Sequence, residues 1–174
     1  METFRTIAGM NSGYLVRQLG FYADGQRRHP QMSWLAGRLD SDERLAVSAY
    51  YAAMPVPEAQ AAAIPAKSPQ CDFGDAPTLY HRGAPDRGLA SCVSCHGADG
   101  AGIGPGNPSL TGQSAAYIKE QLQRWRMGER YGDPQNVMHK AADALREEEI
   151  SPLAAYIAYG PERSGRRELP AGCP

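Results

Sequence analysis

The sequence predicts an all-α protein. In residues 114–127 and 147–159, apolar side chains recur at the spacing that places them on one face of a helix. A similar pair of helical segments, near 12–24 and 40–53, occurs in the first part of the chain. No segment shows a convincing strand pattern.

Composition fits a globular protein with one domain or two small ones. The chain has 174 residues, a hydrophobic fraction of 42% and a formal net charge of −1. No apolar run approaches the length of a membrane span. The balanced charge implies neither nucleic acid nor an anionic membrane as a partner.

Comparing the chain with itself reveals an internal repeat. Residues 9–25 align with residues 112–128 at one constant offset, and the alignment continues after a short insertion around residues 131–134. We call residues 7–54 the first repeat and residues 112–159 the second repeat. The aligned pairs include Tyr14/Tyr117, Gln18/Gln121, Tyr22/Trp125, Gly25/Gly128, Arg27/Arg130, Met32/Met138, Leu39/Leu145, Glu43/Glu149 and Tyr50/Tyr156.

Capping residues support these helices. Ser114 is a candidate N-cap, and Gly128 is a candidate residue just past the end of the same helix. Asp40 or Ser41 is expected to cap the helix near 40–53. Pro152 suits only a first turn, so the regular part of the last helix is expected to begin a few residues after 147. A short helix is predicted over residues 77–83.

The chemistry-bearing motif is Cys92-Val93-Ser94-Cys95-His96. A CxxCH segment is typical of covalent c-type haem attachment. The two thiols would add to the haem vinyl groups as thioethers, and His96 would bind the iron as the proximal ligand. The first repeat has only eight residues upstream of Gly9 and no CxxCH, so it is expected to be a partial, haemless unit.

Three alternatives explain a CxxC less well. A dithiol redox site is normally found at a strand-to-helix turn in a βαβ setting, whereas the flanks here are rich in Gly and Ala. A zinc site needs a second ligand pair, and Cys71 and Cys173 stand singly. A disulfide between Cys92 and Cys95 would leave His96 without a role.

Met138 is the candidate for the distal iron ligand. It follows His96 between two long helices, where a loop can fold across the opposite haem face, and a thioether there raises the redox potential. Met127 and His139 are its rivals, and His81 is expected at the surface. The Pro108 carbonyl is the candidate acceptor for the second N–H of His96. Trp125, Tyr117 and Arg124 could reach haem propionates, but core packing or surface exposure explains these residues at least as well.

Residues 78–159 resemble a class I cytochrome c domain, and most closely one domain of the dihaem cytochrome c4 kind. The shared residues include Leu79-Tyr80, Gly83, the CxxCH motif with Gly97, Pro108-Ser109-Leu110, Gly112-Gln113, Tyr117, Gln121-Leu122, Gly128, Met138 and Tyr156. The resemblance implies that Cys92 and Cys95 bind the haem, His96 is proximal, Pro108 braces it and Met138 is distal. Met32 takes the distal position in the first repeat but has no haem to bind.

The resemblance also implies a domain organisation. We expect a partial cytochrome-like unit at 1–55, an Ala/Pro-rich linker at 56–71, a haem domain at 72–165 and an irregular tail at 166–174. Cys71 and Cys173 flank the haem domain, and they are either joined in a disulfide or left as two free thiols.

The implied function is single-electron transfer in the periplasm through one covalent haem c, by an electron carrier rather than an enzyme. A quinol-oxidising complex or a dehydrogenase would be the donor, and a terminal oxidase the acceptor. The chain starts without a signal peptide, so the export signal is expected elsewhere. The alternatives are a fixed cytochrome subunit of a dehydrogenase, and a haem enzyme or gas sensor with an open sixth site.

Overall fold

The computed structural model of the protein describes residues 7–55 and 73–161. Within these ranges the chain forms helices and connecting turns, without a strand, as predicted. The helices are α1 Ser12–Ala23, α2 Pro30–Ala36, α3 Ser41–Ala53, α4 Ala76–Arg82, α5 Val93–His96, α6 Ala115–Arg126, α7 Val137–Ala144 and α8 Glu147–Tyr159, with short 3₁₀ turns at Pro85–Arg87 and Pro134–Asn136. No helix among the described residues is long and apolar enough to cross a bilayer. Cys71, Cys173, the whole predicted linker (56–71) and the whole predicted tail (166–174) lie outside these ranges.

The larger core forms where α8 packs against α4 and α6, and α7 also packs against α6. Aromatic rings meet at the α4–α8 crossing. Tyr156 makes edge contacts with Tyr80 and Phe73, with ring centroids 5.8 and 5.6 Å apart. Edge-to-face pairs of this kind contribute about 0.5–1.5 kcal/mol beyond their buried area. Tyr80 and Tyr156 are almost completely buried, so this crossing is the centre of the fold.

The first repeat has a much smaller hydrophobic core than residues 73–161 do. Its α1 packs against α2 and α3 around a small cluster of Met10, Tyr14 and Leu15. Tyr50 of α3 aligns with Tyr156 of α8, yet Tyr50 is 62% exposed and Tyr156 only 1%. The difference arises because α4 covers α8, whereas no described helix covers the corresponding face of α3.

A polar cluster joins the two repeats. We call it the clamp, and it consists of three pairs that the repeat aligns: Tyr14/Tyr117, Gln18/Gln121 and Arg27/Arg130. Both arginines are only 5% exposed. Their backbones meet in an antiparallel bridge, with Tyr131 N donating to Gln26 O at 2.7 Å. The two repeats are therefore in direct contact.

Most helices fall where the sequence predicts them, with Ser114 Oγ accepting from the Tyr117 N–H and Asp40 forming a capping box with Glu43. The expectation that the last helix becomes regular only beyond its first residues is wrong, because α8 begins at Glu147 and contains Pro152 inside it. Its first turn is held by the complete burial of Ile150 and by hydrogen bonds from Arg146 N and the Arg87 guanidinium to Glu149.

Two glycines with nearly the same φ allow a matched test of the turn after α4. Gly83 has φ 71° and ψ −158°, a conformation that is almost restricted to glycine, and an added Cβ would meet the backbone of residues 89–91. Gly88 has φ 72° and ψ 14°, with open space around it. We expect Gly83→Ala to lower the free energy of unfolding by about 3 kcal/mol or more and Gly88→Ala by about 1 kcal/mol. Urea unfolding measures both, and equal losses would contradict the steric argument.

The Arg87–Glu149 ion pair predicts a pH-dependent stability. Hydrogen bonds from Arg87, at 2.9 Å, hold the pKa of Glu149 below its usual value. A lowered folded-state pKa stabilises the protein above the unfolded value of about 4.3, and the stabilisation is lost as the pH falls through the folded value. Glu149→Gln should therefore cost about 1–2 kcal/mol at neutral pH and progressively less in acid.

Glu148→Gln is the control for this prediction, because Glu148 lies exposed on the same turn. Urea unfolding of both variants and the wild type, at neutral pH and at about pH 3, measures the effect. A cost for Glu149→Gln that stays constant with pH would show that the pair contributes no charge-dependent stability.

Candidate haem site

The CxxCH motif forms a single tight turn. Cys92 lies at the N-terminus of the short helix α5, which ends at His96, and the His96 N–H donates to the Cys92 carbonyl at 2.8 Å. Cys92 and Cys95 are both partly exposed residues with free thiols, and no disulfide joins them. The turn thus places two thiols beside a buried imidazole.

The imidazole of His96 is held in one orientation. His96 is 8% exposed, and its Nδ1 donates to the Pro108 carbonyl at 2.9 Å, the contact expected from the sequence. A carbonyl oxygen only accepts hydrogen bonds, so the proton sits on Nδ1 and the Nε2 lone pair is left for a metal. Burial lowers the pKa of His96, which favours this neutral form.

The loop between these two residues is fixed by backbone hydrogen bonds. Gly102 N donates to the His96 carbonyl at 2.8 Å, and Ile103 N donates to the Cys95 carbonyl at 3.0 Å. Gly102 has φ 87°, and an added Cβ would meet the Asn107 carbonyl. Because the loop is closed this tightly, the Pro108 carbonyl reaches the imidazole from twelve residues away.

Met138 lies in the first turn of α7 rather than in an open loop. Its N–H donates to Asp133 Oδ2 at 2.6 Å, and its side chain packs against the main core while remaining partly exposed. Gln135 and Asn136, just before it, have φ of 59° and 53°, a left-handed conformation that costs non-glycine residues energy. The approach to Met138 is therefore a strained, closely held turn.

The rival ligands are placed elsewhere. Met127 caps the end of α6 and is 63% exposed. His139 points its Nδ1 to the Trp125 carbonyl at 2.7 Å. His81 is exposed and hydrogen-bonds the Tyr156 hydroxyl at 2.9 Å.

The residues present fit a covalently attached haem. Two free thiols, a neutral imidazole with a free Nε2 and a thioether are the donor set of a c-type centre. Cys92, Val93, Leu110 and Met138 are partly buried apolar residues that border the same core. The buried indole Nε1 of Trp125 has no hydrogen-bond partner, which is the state expected of a donor facing an absent acceptor.

The alternatives for the thiols fit less well. Burial raises the pKa of Cys92 to about 11, so the thiol is protonated at neutral pH. Redox-active CxxC motifs instead have thiol pKa values lowered to about 3.5–7.5. No group of three or more potential His, Cys, Asp or Glu metal ligands occurs among the described residues.

Two features of the site escaped sequence analysis. Asp133 was not singled out, because it caps a backbone N–H five residues away, beyond the three-residue spacing of an ordinary N-cap. The sequence also left Trp125 undecided between the core and the haem, and in the structure its buried N–H has no hydrogen-bond partner. Tryptophan seldom buries that group without an acceptor, but only a structure can show whether one is present.

An all-α fold with CxxCH on a short helix, a braced histidine and a methionine at the same core defines a c-type cytochrome, an electron-transfer protein rather than an enzyme. Residues 82–160 match the family model described as cytochrome c.

Related proteins show which kind of c-type cytochrome this chain is similar to. The chain is 37% identical to a thiosulfate dehydrogenase electron acceptor from Stutzerimonas stutzeri, over 94% of this chain and 74% of that protein. It is 34% identical to cytochrome c4 from Thiocapsa roseopersicina, over 87% of this chain and 76% of that protein. The chain belongs to the cytochrome c family, with relatives of the cytochrome c4 type.

A solved structure agrees with this placement. Thiosulfate dehydrogenase from Marichromatium purpuratum matches with a TM-score of 0.79 and 38% identity over 94% of this chain. This chain spans about a third of that protein, 34% of its length.

Proposed function

We propose that this protein carries single electrons in the periplasm through one haem c attached to Cys92 and Cys95. His96 is the proximal iron ligand, Pro108 orients it and Met138 is the distal ligand. The observation that carries this proposal is the 2.9 Å hydrogen bond from His96 Nδ1 to the Pro108 carbonyl, beside the two thiols. It leaves Nε2 of a buried, neutral imidazole as a ligand.

The chain's own residues prepare the site for electron transfer. The haem, when bound, supplies the one-electron couple. His96 and Met138 both approach from closed turns whose backbone is fixed by hydrogen bonds, at Gly102 and Asp133 respectively. Ligands held in this way keep their positions in both oxidation states, which lowers the reorganisation that electron transfer requires. Thioether ligation by Met138 raises the redox potential.

The redox partners follow from the related proteins. A relative that matches 94% of this chain is named as an electron acceptor of thiosulfate dehydrogenase, so we infer a dehydrogenase as the donor. A quinol-oxidising complex remains the alternative donor. The acceptor is a further redox protein such as a terminal oxidase, as the resemblance to cytochrome c4 implies. Periplasmic location follows from the same resemblance.

A fixed cytochrome subunit of a dehydrogenase is the second candidate. It is favoured by the structural match to a thiosulfate dehydrogenase chain about three times as long, of which this chain spans 34%.

Complex formation separates a fixed subunit from a mobile carrier. A mobile carrier should run as a free protein in size-exclusion chromatography of gently lysed native cells, and a fixed subunit should co-purify with its dehydrogenase at constant stoichiometry. The same chromatography at higher salt is the control, because transient electrostatic encounters dissociate with salt whereas a stable subunit interface persists. A salt-resistant complex would contradict the carrier proposal.

The internal repeat provides a matched test of the ligand set. Met138→Ala should abolish the far-red methionine-to-ferric charge-transfer band and allow the reduced protein to bind carbon monoxide, because the distal ligand is gone. Met32→Ala, at the aligned position of the first repeat, should leave both properties unchanged. The pyridine haemochrome assay should give one haem per chain in the wild type and both variants.

Two results would contradict this assignment. A far-red band that survives in Met138→Ala would show that another residue is the distal ligand. Carbon monoxide binding by the reduced wild type at neutral pH would favour the haem enzyme or gas sensor instead.

A further inference from the structure

The clamp between the two repeats has nearly two-fold symmetry. Arg27 donates to Gln18 Oε1 at 2.7 Å and to Gln121 Oε1 at 2.8 Å, and Arg130 donates to the same two oxygens at 3.1 and 2.9 Å. Each arginine also donates to the tyrosine hydroxyl of the other repeat, Arg27 to Tyr117 at 2.8 Å and Arg130 to Tyr14 at 3.2 Å. Both guanidinium groups are thus held by residues of both repeats.

The two arginines lie on different aromatic rings. The Arg130 guanidinium lies 3.7 Å from the ring centroid of Trp125, and that of Arg27 lies 4.6 Å from the ring of Tyr22. Tyr22 and Trp125 occupy aligned positions. Both repeats therefore place an arginine over an aromatic ring, which is a phenol in the first repeat and an indole in the second. A buried cation over an indole is among the stronger cation–π pairs.

Trp125 connects the clamp to the distal side of the haem site. Its carbonyl accepts a hydrogen bond from His139 Nδ1 at 2.7 Å, and His139 directly follows Met138 in α7. A continuous path of contacts therefore runs from Tyr14 and Gln18 of the first repeat, through Arg130 and Trp125, to the residue beside Met138.

We propose that the first repeat positions the distal side of the haem site through this path. The inference rests on the proposed role of Met138 as distal ligand. Tyr14 is a positioning residue, because its hydroxyl accepts a hydrogen bond from Arg130, which lies over the ring of Trp125. The first repeat, in which residues 7–54 contain no CxxCH, thereby contributes to the geometry of a haem site that lies in the second part of the chain.

The clamp supplies a matched pair of variants. Tyr14→Phe removes the hydroxyl that holds Arg130 on Trp125, and Tyr117→Phe removes the aligned hydroxyl that holds Arg27 on Tyr22. Each deletes one oxygen and one hydrogen bond to an arginine, so their costs to global stability should be similar. Only Tyr14→Phe interrupts the path that leads to Met138.

Exogenous imidazole is the probe, because it displaces a weakly held methionine from ferric haem and its binding constant measures how firmly Met138 is positioned. Binding is followed by the loss of the far-red band. We expect Tyr14→Phe to tighten apparent imidazole binding about five-fold, the factor that corresponds to the loss of one hydrogen bond. Tyr117→Phe should stay within about two-fold of the wild type.

A second pair extends the test to the arginines. Arg130→Lys keeps the charge but loses the planar fork that spans Gln121, Gln18 and Tyr14, and it should tighten imidazole binding at least as much as Tyr14→Phe does. Arg27→Lys should have the smaller effect. Urea unfolding of all four variants serves as the control, because a purely structural role changes stability in both pairs and leaves imidazole binding unchanged.

Failure of the inference and failure of the proposed function give different results. Suppose that the wild type shows the far-red band. If the variants then bind imidazole as the wild type does, or if the two members of each pair change imidazole binding equally, the inference alone is overturned. A wild type that carries haem but lacks the band would overturn Met138 as the ligand, and the inference with it.

Discussion

The hydrogen bond between His96 Nδ1 and the Pro108 carbonyl is the constraint on which the site depends. It fixes which imidazole nitrogen carries the proton, and therefore which one is able to bind a metal. The donor, His96, and the acceptor, Pro108, lie at the two ends of a loop, and this loop must close tightly to bring them together. The left-handed glycines and the backbone hydrogen bonds of that loop serve this single geometric requirement.

The same turn is tied to the hydrophobic core. Tyr80 is completely buried at the α4–α8 crossing, and its hydroxyl donates to the Gly97 carbonyl at 2.7 Å, one residue after His96. Burial raises the pKa of Tyr80, so the hydroxyl is protonated and remains a donor at neutral pH. Packing at the crossing therefore also determines where the proximal side of the site lies, and the core and the site are stabilised together.

Some of this architecture could be read from the sequence because it is encoded locally. The four long helices follow from apolar periodicity and capping residues, and CxxCH with a proline twelve residues later indicates the proximal side. Other parts depend on contacts between distant residues. The short helices α2 and α7 carry too few turns for a clear periodic signal, and Pro152 is tolerated because Ile150 and Glu149 anchor the turn before it. The expected roles of Cys71 and Cys173 remain predictions, since both lie outside the described residues.

The repeat shows most clearly what local sequence does not encode. Alignment pairs Arg27 with Arg130 and Gln18 with Gln121, but it does not reveal that the aligned residues contact one another across the interface. Such contacts follow from two-fold packing, in which equivalent residues of two similar units meet near the axis.

Symmetry at this interface is combined with asymmetry in the burial of other aligned residues. Tyr50 is exposed where its counterpart Tyr156 is buried, whereas both arginines of the clamp are buried to the same extent. On the side of the first repeat that faces the second, each polar side chain of the clamp thus has a hydrogen-bond partner in the other repeat. Buried guanidinium groups are costly unless they are well hydrogen-bonded, so a non-specific contact between the repeats would not hold them. The contact has the properties of a specific interface, and through Trp125 it reaches His139, the residue next to Met138.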